Sequence, residues 1–430
     1  MNHSRPTRPF IPILLSASFA WAASQSPSAI EQLQNLQTKL RASHQAGDWN
    51  ANLIAANQQK DLLNDAPNSL IEVARAQVHL GDLDSALHSL KQFAAMGQAT
   101  NLLATLPDFK PILANPQAAS LLAGMEANRK PISHASTAFE IEDSGLLPED
   151  VDFDPASHRF FVTSVLKRKI VAFEMGGSSS DFAAAPDKWP MMAIKVDAQR
   201  RLLWATEVAL QGFDSVSKLD WGKSALLCYD LTAGKLIHRI EGPLGSALGD
   251  MALMPNGDVL VSDGDGGGVY HLPAQGTALI RVDNGDFISP QTPVMHPDGK
   301  HVFVPDYLRG IGVLDLANRQ VRWLTMDGRF ALNSIDGLYF DHGKLIAVQN
   351  GTSPERVVVF TLDQNLSRIK SETILEQSTT TLGDPTHGVV IGGAFYYIAN
   401  SGWDSLDERG NLKPGSKLSA PRIMRAKLGL

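Results

Sequence analysis

Five polar residues that could carry out chemistry each stand just ahead of a short β-rich run in the last two thirds of the sequence. They are carboxylates, an amide and an imidazole: Glu149, Asp250, Gln291, Asp336 and His387. Carboxylate and amide oxygens that converge on one point form a site for a hard divalent cation such as calcium. A carboxylate or a neutral imidazole beside such a cation can also act as a general base toward water. The pattern therefore suggests cation binding, hydrolysis or both, provided that the fold brings these positions together.

The elements that must position these residues are short strands in six pairs, in which hydrophobic residues alternate with a period of two. The pairs are Phe160–Val165 with Lys169–Phe173, Arg201–Ala205 with Ala225–Tyr229, Val259–Ser262 with Gly268–Tyr270, Val302–Val304 with Gly312–Leu314, Leu345–Val348 with Val357–Phe360, and Phe395–Ile398 with Ile423–Arg425. Turns rich in Asp, Asn and Gly precede them and recur roughly every 40–50 residues, the period of propeller blades. The chain is therefore predicted to be mainly β, with a six-bladed β-propeller over Phe139–Leu430. A pair of β-sandwiches is the alternative.

A propeller places the start of each blade's innermost strand at one mouth of a central channel. The five candidate residues occupy equivalent points of the repeat, so we expect them to converge there. The stretches around them resemble the gluconolactonase and senescence-marker (regucalcin-like) family of six-bladed propellers. The matching stretches are Gly145–Val151, Leu248–Ala252, Ser289–Gln291 continuing through Pro297–Lys300, and Ile335–Leu338.

The resemblance implies a divalent metal and the opening of sugar lactones. Glu149 and Asp336 match the family's metal-binding glutamate and aspartate, whereas Gln291 stands where the family has a metal-binding asparagine, and Gly249 replaces a second asparagine. The predicted ligands are thus Glu149, Gln291 and Asp336. Calcium is the first choice of metal, with zinc or manganese as alternatives. The predicted catalytic residues are Asp336, Asp250 and His387.

His387 also has a purely structural interpretation, in which Asp384, Thr386 and His387 satisfy one another's hydrogen bonds and fix the sixth blade. Asn350 and Asn400 each follow a predicted strand, and the sequence assigns both to turns.

Ahead of the propeller, residues 29–130 have hydrophobic residues at helical spacing and predict a small all-α helical-repeat module. Two Gly-Asp turns, Gly47-Asp48 and Gly81-Asp82, are separated by one tetratricopeptide-like period. The module either caps the propeller or binds a partner protein.

The first 22 residues read as a secretory signal peptide. Arg5 and Arg8 precede an apolar run from Phe10 to Ala22 that ends in Ala20-Trp21-Ala22. The run is shorter than the roughly 20 residues of a membrane-spanning helix, so no transmembrane span is expected. A buried N-terminal helix is the alternative, but the prolines of this segment disfavour it. The predicted location is periplasmic or secreted.

Charge and cysteine content argue against several classes of function and of site. The net charge is −7, which gives no reason to expect nucleic-acid binding. Cys228 is the one cysteine, so an intrachain disulfide and a cysteine-based zinc site are excluded. Two functions remain open. One is an exported, metal-dependent hydrolase acting on a small lactone or ester. The other is a non-catalytic protein that binds a small ligand at the channel mouth and a partner protein through its helices.

Overall fold

In the described part of the chain, six β-sheets form the blades of a β-propeller, and seven α-helices precede them. The computed structural model describes residues 27–174 and 178–429. The predicted signal peptide, residues 1–22, lies outside the described residues. The prediction of a six-bladed propeller behind an all-α segment is confirmed.

The chain enters the sheets through β1 (Ile132–Ser133) and β2 (Ala135–Glu140) and then builds the blades from the innermost strand outward. Blade 1 contains β3 (Pro148–Asp154), β4 (Arg159–Ser164), β5 (Lys169–Glu174) and β6 (Ser179–Ala184). Blade 2 contains β7 (Met191–Asp197), β8 (Leu202–Val208), β9 (Ser224–Asp230) and β10 (Leu236–Glu241). Blade 3 contains β11 (Leu248–Leu253), β12 (Val259–Asp263), β13 (Gly268–Leu272) and β14 (Ile280–Arg281).

Blade 4 contains β15 (Val294–Met295), β16 (His301–Asp306), β17 (Gly310–Asp315) and β18 (Val321–Trp323). Blade 5 contains β20 (Ile335–Asp341), β21 (Lys344–Gln349), β22 (Arg356–Leu362) and β23 (Arg368–Gln377), with β1 and β19 (Thr325–Met326) added on β23. Blade 6 contains β24 (Gly388–Ile391), β25 (Ala394–Ile398) and β26 (Arg422–Lys427), and β2 is its fourth strand. Because β2, which precedes blade 1, pairs with β26, the last strand of the chain, both ends of the propeller segment share one sheet and close the ring.

Alternation along the strands explains why the blades pack face to face. In β4, Phe160 points toward blade 6, where it contacts Phe139 and Tyr396, whereas Phe161 joins Leu203 and Ala205 on the side of blade 2. Both phenylalanines are fully buried. Truncating either side chain to alanine is expected to cost about 3–5 kcal/mol.

The helices are α1 (Ala29–Ala46), α2 (Trp49–Leu62), α3 (Pro67–His79), α4 (Leu83–Ala95), α5 (Leu102–Thr105), α6 (Lys110–Leu113) and α7 (Ala118–Asn128). The two Gly-Asp turns have the same structure. Gly47 and Gly81 end their helices in the left-handed region, at φ +67° and +79°. The carboxylates of Asp48 and Asp82 then accept hydrogen bonds from backbone amides of the following helices. The tetratricopeptide resemblance of this segment stays a prediction.

The helices pack on one face of the propeller. Strands alternate in direction, so loops that precede an innermost strand lie on the same face as loops between second and third strands. The helices bond to loops of both kinds: Ala29 N donates to Gly285 O (3.0 Å), Asn64 to Arg309 O (3.0 Å) and Ala99 N to Ser353 O (2.6 Å). The helical segment therefore lies on the face of the propeller where the innermost strands begin, which is the face of the channel mouth. In the described part of the chain, no helix is long and apolar enough to span a membrane.

Candidate functional site at the channel mouth

Four of the five predicted site residues lie together at this mouth. Glu149, Asp250 and Asp336 stand near the starts of β3, β11 and β20, and His387 immediately precedes β24. Their exposed fractions are 7%, 4%, 8% and 1%. The strand register shifts at each of the three carboxylates, between Pro148 and Val151, Leu248 and Asp250, and Ile335 and Gly337. Such bulges re-aim a side chain that the regular alternation would send elsewhere.

Glu149 and Asp336 form a buried carboxylate pair. A ligand atom of each, and a ring nitrogen of His387, all lie within 4.8 Å of one another. Burial and the neighbouring Asp336 raise the pKa of Glu149 well above its usual range. Burial also raises the pKa of Asp336 to about 7, although the nearby His387 opposes this shift. The two carboxylates thus resist being ionised together, which a divalent cation between them would reverse.

Each carboxylate of the pair is held by one side chain outside it. The indole Nε1 of Trp403 donates to Glu149 Oε2 at 2.5 Å, and the amide Nδ2 of Asn350 donates to Asp336 Oδ2 at 2.8 Å. The Oδ1 of Asn350 accepts in turn from the hydroxyl of Tyr307 at 3.0 Å. One oxygen of each carboxylate is therefore fixed by a neutral donor.

His387 is bonded through both ring nitrogens. Nδ1 faces the backbone carbonyl of Glu149 at 3.0 Å, and Nε2 faces Asp250 Oδ1 at 2.5 Å. Both partners are acceptors, so both nitrogens carry protons and the ring is an imidazolium. Burial alone would lower the pKa of His387, but Asp250 and Asp336 outweigh it and raise this pKa well above its usual range.

These contacts bear on both interpretations of His387. As a doubly bonded cation it could act as a base or ligate a metal only by giving up one of its hydrogen bonds, and its catalytic role stays a prediction. The network with Asp384 and Thr386 does not form among the described residues. Asp384 instead accepts from the hydroxyl of Ser401 at 3.1 Å, and the buried hydroxyl of Thr386 has no hydrogen-bond partner there.

Asp250 and Gln291 have different surroundings. Asp250 Oδ1 accepts from His387 and also from the hydroxyl of Thr292 at 2.8 Å, which ties blade 3 to blades 4 and 6. The amide nitrogen of Gln291 donates to the hydroxyl of Ser289 at 3.1 Å. Within the described residues, no hydrogen bond of Gln291 goes to Glu149, Asp336 or His387.

The sequence missed two residues of the site. Asn350 lies in the bend after β21, as the sequence predicted, but it also donates to Asp336, which the sequence did not indicate. The signal was its position right after β21, a strand that ends at the mouth. Trp403 lies in the long loop between β25 and β26 and carries no motif. Asn400, in contrast, bonds to Ser419 and to the Ala420 carbonyl within the same loop, as a turn residue would.

Two long loops lie on the same face of the propeller as the helices, and one of them carries Trp403 to Glu149. Residues 209–223 join β8 to β9, and residues 399–421 join β25 to β26. The loops meet where Asp214 N donates to Arg409 O at 2.9 Å and the rings of Phe213 and Trp403 pack edge to face. The site therefore lies on the face of the propeller that carries both the helical segment and this loop pair.

The donors present fit a hard divalent cation. They comprise two carboxylates at hydrogen-bonded, fixed positions, with no thiolate, because Cys228 is buried elsewhere in blade 2. Glu149 and Asp336, both predicted ligands, are the residues that the geometry brings together.

No protein-family profile matches the sequence, and no curated protein sequence does. Similar solved structures include a gluconolactonase from Xanthomonas campestris, with 14% identity over 68% of this chain and 88% of that one (TM-score 0.47). A calcium-binding protein, regucalcin, from Agrobacterium tumefaciens has 16% identity over 68% of this chain and 95% of that one (TM-score 0.47). The PQQ-bound aldose sugar dehydrogenase from Streptomyces coelicolor has 13% identity over 69% of this chain and 99% of that one (TM-score 0.46). The solved structures that resemble this chain thus include gluconolactonase and regucalcin propellers, the group that its sequence motifs also resemble.

Proposed function

We propose that the protein is an exported, metal-dependent hydrolase that opens a small lactone or ester at the channel mouth. The observation that carries the proposal is the buried pair of Glu149 and Asp336, whose ligand atoms lie within 4.8 Å of each other and of His387. Buried carboxylates are costly unless a cation or hydrogen-bond donors compensate them. The motif resemblance to lactone-opening propellers supports the same reaction class.

Glu149 and Asp336 would hold the cation, with Gln291 as the third predicted ligand. Calcium is the first choice because the donors are oxygens, and zinc or manganese are the alternatives. When bound, such a cation supplies a Lewis acid that polarises the ester carbonyl.

Asp336 is the residue best suited to receive a proton. Its pKa of about 7 belongs to the site without a cation, and a bound cation would keep this carboxylate ionised and able to accept a proton. Asn350 fixes one of its oxygens, which orients the other. Asp250 and His387 act as positioning residues, because the imidazolium links Asp250 to the backbone at Glu149 and so sets the carboxylate pair.

Asp336→Asn and Glu149→Gln test this assignment, with Asp341→Asn as a matched control at the other end of β20. Purified protein would be analysed for bound calcium, zinc and manganese and assayed on a panel of lactones and simple esters. We expect the protein to hydrolyse a compound of the panel and to lose this activity when a chelator removes the metal. Asp336→Asn and Glu149→Gln should each reduce the activity at least 100-fold, whereas Asp341→Asn should retain it. Hydrolysis that survives both mouth substitutions would refute the site. A folded protein that binds no metal and hydrolyses nothing on the panel would refute the function.

Export is tested separately. Expression of the full-length chain in a Gram-negative host, followed by fractionation and mass determination, should give a periplasmic product that begins after Ala22. A cytoplasmic product that retains residues 1–22 would contradict export while leaving the hydrolase proposal standing.

A non-catalytic binding protein is the second candidate, and the position of the helices favours it. The helices rest on loops of blades 3, 4 and 5 at the mouth, so a partner protein bound to them would control access to the site. Metal-dependent binding of a sugar or lactone, measured by calorimetry without turnover, would support this candidate over the enzyme.

A further inference from the structure

A second cluster of metal-binding side chains lies at the opposite end of the blades, on the turn between β15 and β16. The turn reads His296-Pro297-Asp298-Gly299-Lys300-His301. One ligand atom each of His296, Asp298 and His301 lies within 4.8 Å of the others. We propose that these three residues form a zinc site, separate from the channel mouth.

The separations between the donor atoms fit a small tetrahedral ion. His296 Nδ1 lies 3.1 Å from Asp298 Oδ1, and His301 Nδ1 lies 2.6 Å from Asp298 Oδ2. Zinc with bonds of about 2.0–2.1 Å holds its ligand atoms about 3.3 Å apart. Binding thus requires side-chain movements of roughly an ångström. It replaces the hydrogen bond between His301 and the Asp298 carboxylate, and it also replaces the one that the Asp298 backbone amide donates to His296 Nδ1 at 3.2 Å.

The turn is rigid enough to present these donors. Asp298 Oδ1 accepts from the backbone amides of Lys300 and His301 at 2.8 and 3.0 Å, and His296 N donates across the hairpin to His301 O at 3.0 Å. The ring of His296 packs against Phe303, with centroids 5.1 Å apart. The side chains of His296, Asp298 and His301 remain 11%, 36% and 32% exposed, so an ion can reach them from solvent.

A carboxylate also stands behind one of the ligands. Asp315, from the neighbouring strand β17, places Oδ2 3.7 Å from His301 Nε2. Metal-bound histidines usually direct their second ring nitrogen at a carboxylate, which fixes the ring and strengthens the ligand. With His301 bound through Nδ1, Asp315 is in position for this role.

Related turns show which feature is distinctive. In blade 5, His342 Nδ1 lies 2.6 Å from Asp341, and in blade 3, His271 Nε2 lies 2.7 Å from Asp258. Each of those pairs has a single imidazole, and among the described residues neither has a third metal-binding side chain close to both of its members. Two imidazoles and one carboxylate suit zinc, whereas calcium prefers six or more oxygens.

The experiment uses the full chain with the mouth pair removed by Glu149→Gln and Asp336→Asn. Zinc is titrated by calorimetry, and cobalt is used as a spectroscopic substitute for zinc. We expect one zinc per chain, the visible absorption of four-coordinate cobalt, and displacement of cobalt by zinc but not by calcium. Adding His301→Ala should weaken zinc binding at least 100-fold, and adding His342→Ala should leave it unchanged.

If the mouth variants do not fold, zinc stoichiometry is compared between the otherwise unchanged protein and its His301→Ala variant, which should bind one zinc fewer. The proposal is overturned if His301→Ala changes neither affinity nor stoichiometry, if His342→Ala weakens zinc equally, or if calcium competes as well as zinc does. Because the readouts concern the turn alone, these outcomes leave the proposed hydrolase untouched, and loss of the hydrolase leaves this site standing.

Discussion

The pKa values of buried carboxylates shift in opposite directions at the two ends of the innermost strand β3. On β3, Glu149 stands at the channel mouth and Asp154 stands at the far end, and both are buried. At the far end, burial would raise the pKa of Asp154, but Arg201, Ser157 and the Ala156 amide outweigh it and lower this pKa to about 2. At the mouth, burial and Asp336 raise the pKa of Glu149 instead.

The difference lies in the donors that each carboxylate finds. Asp154 accepts from Arg201 at 2.8 Å, from the Ser157 hydroxyl at 2.6 Å and from two backbone amides. The mouth pair finds one neutral donor per carboxylate and faces a second negative charge. A carboxylate satisfied by its own turn and by Arg201 of the next blade stabilises the fold. The mouth pair has one imidazolium nearby, His387, which also bonds to Asp250, so it is left short of positive charge and is suited to bind a cation.

The largest expected effect is the stabilisation of the protein by a bound metal ion, which should depend on the mouth end of the innermost strands and not on the far end. A cation at 1,000 times its Kd should stabilise the protein by about 4 kcal/mol, because it binds the folded state alone. Asp336→Asn should abolish this increase in the free energy of unfolding, and Asp154→Asn should preserve it. Urea denaturation with and without calcium measures both. Equal metal stabilisation of the two variants would remove the basis for the comparison.

The next largest effect is on the pH dependence of the free energy of unfolding, measured with a chelator present, to which Asp336 at the mouth and Asp154 at the far end should contribute with opposite sign. Asp336 has a folded-state pKa of about 7, above the ordinary value of 3.8, so the native state keeps a proton that the unfolded chain has released. The free energy of unfolding should therefore fall as pH rises from about 4 to 7, by up to a few kcal/mol.

Denaturation of the unsubstituted protein and Asp336→Asn at pH 4 and pH 8 tests this dependence. The variant should be the more stable of the two at pH 8, and its advantage should shrink at pH 4. An advantage that is the same at both pH values would contradict the raised pKa of Asp336.

Asp154 should show the reverse behaviour with a smaller magnitude. Its folded-state pKa of about 2 lies below the ordinary 3.8, so its stabilisation is present above about pH 4 and is lost as pH falls toward 2. Asp154→Ala should lower the free energy of unfolding at pH 7 by about 2 kcal/mol. The metal affinity of the Asp154→Ala variant should be unchanged, since Asp154 lies at the end of β3 that is far from the channel mouth. A weakened metal affinity would show that the two ends are coupled.

The features of the fold and of the site that could be predicted from the sequence are those that depend on residues close together in the chain. Alternating hydrophobic runs and the recurring Asp, Asn and Gly turns depend on near neighbours in the chain, so they predicted the six blades. Equivalent positions in a repeat converge by symmetry, which is why Glu149, Asp250, Asp336 and His387 could be named in advance.

The parts that could not be predicted depend on contacts between distant segments. The protonation of His387 is set by Asp250 and by the Glu149 carbonyl, which come from blades 3 and 1. The position of Asn350 after β21 indicates that it lies at the mouth, but nothing in its own segment shows that its side chain bonds to Asp336. Likewise, the side chain of Gln291 could not be placed, since a one-carbon-longer amide can turn back to Ser289.

Trp403 provides the finest test of the comparison, because among the described residues it supplies the single side-chain donor to the Glu149 carboxylate. Its loop also packs on Phe213 from the loop of blade 2, so the indole links the cover of the mouth to the carboxylate pair. Trp403→Phe keeps most of the packing and removes the N–H. Glu149 would then lose its fixed orientation, and we expect metal affinity to fall about fivefold to tenfold, equivalent to about 1 kcal/mol. Calorimetric titration measures this change, with Trp323→Phe in blade 4 as the control. An unchanged affinity would mean that the backbone bulge alone orients Glu149, and that the mouth needs no donor from its covering loops.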